Sequence, residues 1–319
     1  MPNRKSLALF CLDTTRAYAE RVAEHLHVAL GAHEEREFED GEHKARALVD
    51  VRGRDVFVLQ SLYGEAGHSV NDKLCRLLFF IASLKDAGAA RVTAVAPYLC
   101  YARKDQRTQV RDPLTTRYLG ALFETLGCDC VLTLDVHNLA AFENAFRCAA
   151  LNLRACALLA RYFADIAATR PTVVVTPDFG GAKRAEAFRR ELGTRCGYLP
   201  DFILVEKYRR EGVISGGALV GDVRGKNAII VDDLISSGAT LSRAAHVCRD
   251  AGAADIYAAA THGLLIEAQA MLQDPVFREI VVTDTVMPRQ TVPALRILDS
   301  TSSVAAAIRM LHGGFRARC

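Results

Sequence analysis

One segment of this chain occurs twice, and that repeat constrains the fold more than any other feature. Asp50-Val51-Arg52-Gly53-Arg54-Asp55-Val56-Phe57-Val58-Leu59-Gln60-Ser61-Leu62 recurs as Asp222-Val223-Arg224-Gly225-Lys226-Asn227-Ala228-Ile229-Ile230-Val231-Asp232-Asp233-Leu234, with five identical positions and mostly conservative changes elsewhere. Further on, Asp86-Ala87-Gly88-Ala89-Ala90 recurs as Asp250-Ala251-Gly252-Ala253-Ala254, each copy leading into an alternating apolar run. A long self-similar block marks a duplicated structural unit. Each copy reads turn, strand, loop, helix, Gly turn, strand, the order of an α/β unit with parallel strands. The expected fold class is α/β, with two tandem, duplicated domains, each a mainly parallel sheet flanked by helices. The boundary is expected near Ala149 to Ala155, giving domains 1–150 and 151–319, with the last helix able to pack on the first.

The chain of 319 residues, half of them hydrophobic, is long enough for two cores. A net charge of +3 argues against a partner held by bulk electrostatics, so no nucleic acid is expected. The ten Cys are scattered, and Cys128-x-Cys130 is too short a spacing for a zinc site. The apolar run from Leu7 to Leu12 ends at Asp13, too short for a secretory core or a membrane span, and reads as a first strand. A soluble, cytoplasmic protein with no membrane partner is expected.

The two copies differ at their chemical end. In the second, the β-branched run Ile229-Ile230-Val231 leads to Asp232-Asp233 and then to Leu234-Ile235-Ser236-Ser237-Gly238-Ala239-Thr240. This is a buried strand, its carboxyl end and a helix N-terminus. The loop N–H groups and the hydroxyls of Ser236, Ser237 and Thr240 can cradle a phosphate at the positive end of the helix. The two carboxylates would repel that phosphate but suit neutral sugar hydroxyls a few ångströms away. A sugar phosphate satisfies both halves, and the block resembles the phosphoribosyl-diphosphate (PRPP) loop of the phosphoribosyltransferase fold. The first copy has Gln60-Ser61 in place of the carboxylates and no small hydroxyl loop, so it is expected to keep the fold without this site.

Other strand ends carry further candidates. Val131-Leu132-Thr133-Leu134-Asp135-Val136-His137 reads as an apolar strand delivering Asp135 and His137 to one face, in either a structural or a metal role. The strand Thr172 to Thr176 is followed by Pro177-Asp178-Phe179-Gly180-Gly181-Ala182-Lys183-Arg184. There Asp178 can hold a hard cation and the paired glycines let backbone approach a ligand. Ligands of α/β sheets gather outside the carboxyl ends of strands, where all of these residues lie.

Taken in order, these blocks resemble the ribose-phosphate diphosphokinase (PRPP synthetase) family almost from end to end. The matching segments are Phe38-Glu39-Asp40-Gly41-Glu42, Arg91 to Val95, Tyr101-Ala102-Arg103-Lys104-Asp105, Asp135-Val136-His137, Asp178 to Arg184, Val231 to Thr240 and Thr261-His262-Gly263. The resemblance implies that ATP and ribose 5-phosphate react with Mg2+ to give AMP and PRPP. It implies ribose 5-phosphate contacts from Asp178, Asp232, Asp233, Ser236, Ser237, Gly238, Ala239 and Thr240, and a pyrophosphate loop at Gly180 and Gly181. ATP would meet Arg103, Lys104, Asp105 and His137, with Asp135, His137 and Asp178 at the metal. Phe38, Asp40 and Glu42 match an adenine-binding segment that reaches the site from a neighbouring subunit, which implies a homo-oligomer of at least two chains. Lys207 and Arg209 match the catalytic-loop cations, in a segment expected to be a loop after the strand Asp201 to Val205.

The departures also carry expectations. Lys104 stands where the family commonly has Gln, and Arg111-Asp112-Pro113 replaces a Ser-Arg segment of the phosphate-activated class. The start Phe10-Cys11-Leu12-Asp13-Thr14-Thr15 lacks that class's Ser-rich character. Activity is therefore expected not to need millimolar phosphate. Two alternatives share the fold: a phosphoribosyltransferase that consumes PRPP, and a non-catalytic regulatory subunit. The duplication argues against the first, and the intact Asp178, Lys207, Arg209, Asp232, Asp233 and Thr240 argue against the second.

Overall fold

A computed structural model of the chain describes residues 6–210 and 213–314 and, within these, the side chains of all but 206–218. Two compact units result, Met1–Leu153 with Thr301–Cys319, and Arg154–Ser300.

The first unit runs β1 (Leu7–Cys11), α1 (Arg16–Leu26), β2 (His33–Glu37), β3 (His43–Ala47), β4 (Asp55–Leu59), α2 (Val70–Asp86), β5 (Arg91–Ala96), α3 (Thr115–Thr125), β6 (Cys130–Leu134), α4 (Leu139–Ala145) and β7 (Ala149–Leu153). Five strands form a parallel sheet in the order β1-β4-β5-β6-β7, while β2 and β3 make a separate antiparallel hairpin. β4 shows why both faces are covered. All five of its residues are buried, and their alternation sends Val56 and Val58 to the core under α2 and α3, and Phe57 and Leu59 to the core under α1.

The second unit runs α5 (Cys156–Thr169), β8 (Thr172–Thr176), α6 (Ala182–Cys196), β9 (Asp201–Arg210), β10 (Val213–Val220), β11 (Asn227–Ile235), α7 (Ala239–Asp250), β12 (Ile256–Gly263), α8 (Gln269–Leu272), β13 (Glu279–Thr283) and β14 (Leu295–Leu298). Its order is β10-β9-β8-β11-β12-β13-β14. Strands β8-β11-β12-β13-β14 are parallel and repeat the order of the first sheet, with Ala228 and Ile230 on one face and Ile229 and Val231 on the other. β9 adds a parallel strand beside β8, and β10 returns antiparallel. The segment expected to be a loop from Lys207 therefore has strand backbone to Arg210 and again from Val213. Antiparallel pairing, as of Lys207 with Gly217, outweighs the loop tendency of the glycines.

The duplication extends to single hydrogen bonds. The Gly53 N–H donates to Gly88 O at 2.9 Å, and the Gly225 N–H to Gly252 O at 2.8 Å. The Arg54 and Lys226 N–H groups donate to Val51 O and Val223 O, each at 3.0 Å. Gly53 and Gly225 share a left-handed backbone at φ 68° and 69°, which explains why both copies kept Gly there. Each turn ties the entry of one strand to the entry of the next.

A last helix, α9 (Thr301–His312), belongs with the first unit. Val304, Ala305, Ile308 and Leu311 share the apolar core of α1, while Arg91 forks onto Asp55 and also donates to Leu311 O at 2.8 Å. No helix among the described residues is long and apolar enough to cross a membrane.

Candidate functional site

β11 positions the paired carboxylates. Its Val231 and Ile235 are buried, so the strand cannot move without disrupting two cores, and Asp232 and Asp233 come at its carboxyl end. Asp232 Oδ1 accepts the Asp233 N–H at 2.9 Å. Arg184, on α6, places Nη1 at 3.3 Å from Asp233 Oδ1 and 3.8 Å from Asp232 Oδ1. Burial, and then the hydrogen bond and charge of Asp233, push the Asp232 carboxyl up to about 7; Arg184 opposes this. Two adjacent carboxylates whose burial and mutual charge disfavour ionisation make a site that gains from hydroxyl donors or a cation.

After Ile235 the chain turns through Ser236, half-buried, and Ser237, exposed, into α7. The residue before the helix is Gly238, in a left-handed backbone at φ 78°, and a Cβ there would lie 2.2 Å from Met271 Sδ. No side chain caps this end, and the first turn of α7 carries no acidic residue. No carboxylate of its cap or first turn therefore uses these N–H groups and the dipole.

The matching helix of the first unit is arranged differently. Ser69 caps α2 by accepting the Asp72 N–H at 3.2 Å, and Asp72 accepts the Ser69 N–H at 2.7 Å, a closed capping box. The Asp72 carboxylate is held below its ordinary range by the Ser69 hydrogen bonds and would repel an anion. Gln60 and Ser61, in place of the two Asp, are spent internally: Gln60 donates to Thr14 Oγ1 at 2.7 Å, and the Ser61 N–H to Thr15 Oγ1 at 3.0 Å. Of two helices with a common origin, one has a closed N-terminus and the other an open one.

Asp178 follows β8. It caps a short 3-10 turn, Phe179–Gly181, by accepting the Gly181 N–H at 3.2 Å, and its carbonyl accepts from Thr176 Oγ1 at 2.7 Å. A Cβ on Gly181 would stand 2.8 Å from Thr176 Oγ1, so the turn is as tight as the Gly-Gly pair allows. Asp178, Gly180, Gly181, Arg184, Asp232, Asp233 and the 236–240 loop all belong to the second unit. Thr261-His262-Gly263 closes β12, where buried His262 places Nδ1 2.8 Å from Thr285 Oγ1.

The remaining candidates lie in the first unit. β6 stops at Leu134, and Asp135 turns into a left-handed backbone at φ 37°, donating its N–H to Leu153 O at 2.8 Å. The alternation expected to align Asp135 with His137 therefore ends before either residue; Asp135 is half-buried and His137 exposed. Asn138 caps α4 and donates to Asp105 Oδ2 at 2.7 Å. Arg103 is exposed, and Lys104 Nζ is engaged by Asp112 Oδ2 at 2.5 Å. Phe38, Asp40 and Glu42 form the exposed tip of the β2–β3 hairpin, with the Arg36 guanidinium 4.9 Å above the Phe38 ring. The side chains of Lys207 and Arg209 lie outside the described residues.

Sequence reasoning missed two clusters. Arg184 was part of a recognised block, but its partners depend on the packing of α6 against β11. Asp13, His33 and Glu35 bring one ligand atom each within 4.8 Å of one another. That group is internally satisfied: Glu35 Oε1 accepts the Asp13 N–H at 2.7 Å and lies 3.0 Å from His33 Nε2, and Arg16 holds Asp13 at 2.6 Å. Only Asp13, at the end of β1, gave a signal.

A family profile described as the N-terminal domain of ribose phosphate pyrophosphokinase matches residues 7–127, and one described as the phosphoribosyl synthetase-associated domain matches residues 214–316. The ribose-phosphate pyrophosphokinase of Caldanaerobacter subterraneus subsp. tengcongensis is 36% identical over 97% of this chain and 96% of that one. Ribose-phosphate pyrophosphokinase 2 of Schizosaccharomyces pombe is 34% identical over 97% and 95%. The crystal structure of phosphoribosylpyrophosphate synthetase from Mycobacterium smegmatis superposes with a TM-score of 0.89 at 33% identity, covering 98% of this chain and 100% of that one. Fold and site thus define a duplicated enzyme of phosphoribosyltransferase type. The chain belongs to the ribose-phosphate pyrophosphokinase family.

Proposed function

We propose that the chain transfers the pyrophosphoryl group of ATP to the anomeric hydroxyl of ribose 5-phosphate, giving AMP and PRPP. The observation that carries this reading is the open N-terminus of α7 directly after the Asp232–Asp233 pair, set against the capped N-terminus of α2. The loop from Ser236 to Thr240 receives the 5-phosphate, and Asp232 and Asp233 accept from the ribose hydroxyls. The sugar is thereby fixed at both ends.

In the reaction a bond forms from the anomeric oxygen to the β-phosphorus of ATP, and the bond from that phosphorus to the bridging oxygen of the leaving AMP breaks. Charge builds on the non-bridging oxygens and on AMP, so positioning and cations matter more than a strong base. Lys207 and Arg209 supply the cations. Asp178 and the Gly180-Gly181 turn border the pyrophosphate. Arg103, Lys104, Asp105 and His137 contact ATP, with the first unit, about 1–150, taking the nucleotide and subunit contacts. Phe38 stacks on adenine, while Asp40 and Glu42 accept from its amino group across an interface, in a homo-oligomer of at least two chains. The exposure of that hairpin tip supports this reading.

Mg2+ suits carboxylate oxygen donors, which Asp178 supplies in the second unit and Asp135, with His137 two residues on, supplies in the first. When bound it would neutralise phosphate charge. The protein is proposed to act in the cytoplasm. Purified protein with Mg-ATP and ribose 5-phosphate should produce AMP and PRPP in equal amounts. Consumption of PRPP with a nucleobase, or no turnover at all, would overturn the reading.

A further inference from the structure

We infer that the loop from Lys104 to Asp112 is an oxyanion-binding nest filled by the chain's own Asp112 carboxylate, and that removing this carboxylate uncovers a site for a free tetrahedral oxyanion. One oxygen, Asp112 Oδ2, collects four donors. These are the Thr108 N–H at 2.9 Å, the Gln109 N–H at 2.9 Å, Thr108 Oγ1 at 2.8 Å and Lys104 Nζ at 2.5 Å. Two consecutive backbone N–H groups, a hydroxyl and an ammonium converging on one point are the donor set that phosphate and sulfate select. The convergence exceeds what one carboxylate oxygen's lone pairs accommodate ideally. It matches better an anion with several equivalent oxygens.

The nest is built into the loop. Arg111 adopts a left-handed backbone at φ 70°, the Asp112 N–H closes onto Gln109 O at 3.2 Å, and Arg107 Nε donates to Asp112 O at 3.2 Å. The base of the loop is held separately, by Thr115 and Thr116 hydroxyls on the carbonyls of Tyr101 and Lys104. The tip thus depends on Asp112 and the base does not. Lys104 Nζ also lies 3.0 Å from Thr108 Oγ1, so the ammonium spans the nest. With a carboxylate supplied in cis, the loop carrying Arg103, Lys104 and Asp105 is ordered without any free anion. The Asp112 carboxyl is held far below its ordinary range, first by Lys104 and then by the Thr108 hydroxyl and the two N–H groups, as expected of a group acting as the anion.

The test reads the loop and involves no turnover, so it stands or falls separately from the catalytic reading. Hydrogen exchange of the 107–112 amides, and trypsin cleavage at Arg107 and Arg111, would be followed in phosphate- and sulfate-free buffer. Inorganic phosphate is then titrated in, with chloride at matched ionic strength as control. Wild-type protection is expected to be unaffected by phosphate. In Asp112→Ala the loop should open about tenfold, as for loss of a charged hydrogen bond. Phosphate, but not chloride, should restore the protection, and adding Lys104→Ala should abolish that rescue. Asp112→Asn, which keeps the shape, serves if the Ala variant does not fold. Wild-type-like protection in the variant without phosphate, or lost protection that phosphate does not restore, would overturn the inference.

Discussion

Arg184 Nη1 stands 3.3 Å from Asp233 Oδ1 and 3.8 Å from Asp232 Oδ1, one guanidinium reaching both carboxylates. Its charge opposes the rise of the Asp232 carboxyl to about 7. Ribose hydroxyls are better held by ionised carboxylates, so use of ribose 5-phosphate should strengthen as pH rises through about 7. In Arg184→Gln this acid limb should move to higher pH. An unchanged profile of kcat/KM for ribose 5-phosphate against pH would remove Asp232 from sugar binding.

The same shift bears on stability. The folded carboxyl binds its proton more tightly than the unfolded chain does. The Asp232 contribution is therefore most favourable below the ordinary value of 3.8, weakens as pH rises to about 7, and is constant above. Asp232→Asn should accordingly stabilise the protein at pH 8, by on the order of 2–4 kcal/mol, while weakening ribose 5-phosphate binding and sparing ATP binding. Denaturant melts at pH 5 and pH 8, with calorimetry of each ligand, would check both halves. A destabilised variant at pH 8 would contradict the burial argument.

Gly238→Ala should damage both fold and site. The added methyl meets a left-handed backbone and would stand 2.2 Å from Met271 Sδ and 2.8 Å from Met271 Cβ. The backbone conformation alone costs about 1–2 kcal/mol, and the contact adds to it. Combining it with Met271→Ala should recover part of the ribose 5-phosphate affinity but not the backbone cost. Thermal melts and KM measurements on the single and double variants would separate the two effects.

In the first unit, Asp55 accepts a fork from Arg91 at 2.6 and 2.7 Å and lies 2.8 Å from His312 Nδ1. Asp55→Ala removes the buried partner of a guanidinium and should cost about 3 kcal/mol. Its effect should be largest on α9, seen as faster hydrogen exchange over 301–312. Uniform exchange across both units would show that Asp55 does not anchor that helix. The second unit solves the same position differently. Asn227 replaces Asp55 and Asp255 replaces Arg91, with Arg170 at 3.5 Å and Arg278 at 3.8 Å as the partners of Asp255.

Why some of this was legible beforehand follows from the range of each interaction. The repeated turn at Gly53 and Gly225, the buried strands and the Asp232-to-Thr240 loop are local patterns, and all three appear where sequence placed them. The capping box of Ser69 and Asp72 went unread in the sequence, and its meaning comes only from comparison with the open end of α7. Arg184 and the Asp112 nest depend on chain folding back on itself, which no period or spacing announces. The strand backbone through Lys207 was hidden by the glycines of β10, whose loop tendency yields to pairing with β9.

The sharpest test of the site uses the contrast between the two helix ends. Ala239 is the first residue of α7 and is exposed, so Ala239→Glu places a carboxylate in the first turn without entering the core. By the helix dipole alone this change should stabilise α7 by about 0.3–1 kcal/mol. If that N-terminus binds the 5-phosphate, the new charge should raise KM for ribose 5-phosphate at least about tenfold, the scale of a lost charged hydrogen bond. Stability and substrate affinity would then move in opposite directions. Ala239→Gln, equal in size but neutral, should leave affinity much closer to wild type. If the Glu and Gln variants bind ribose 5-phosphate alike, the loop is an ordinary turn and the phosphate lies elsewhere.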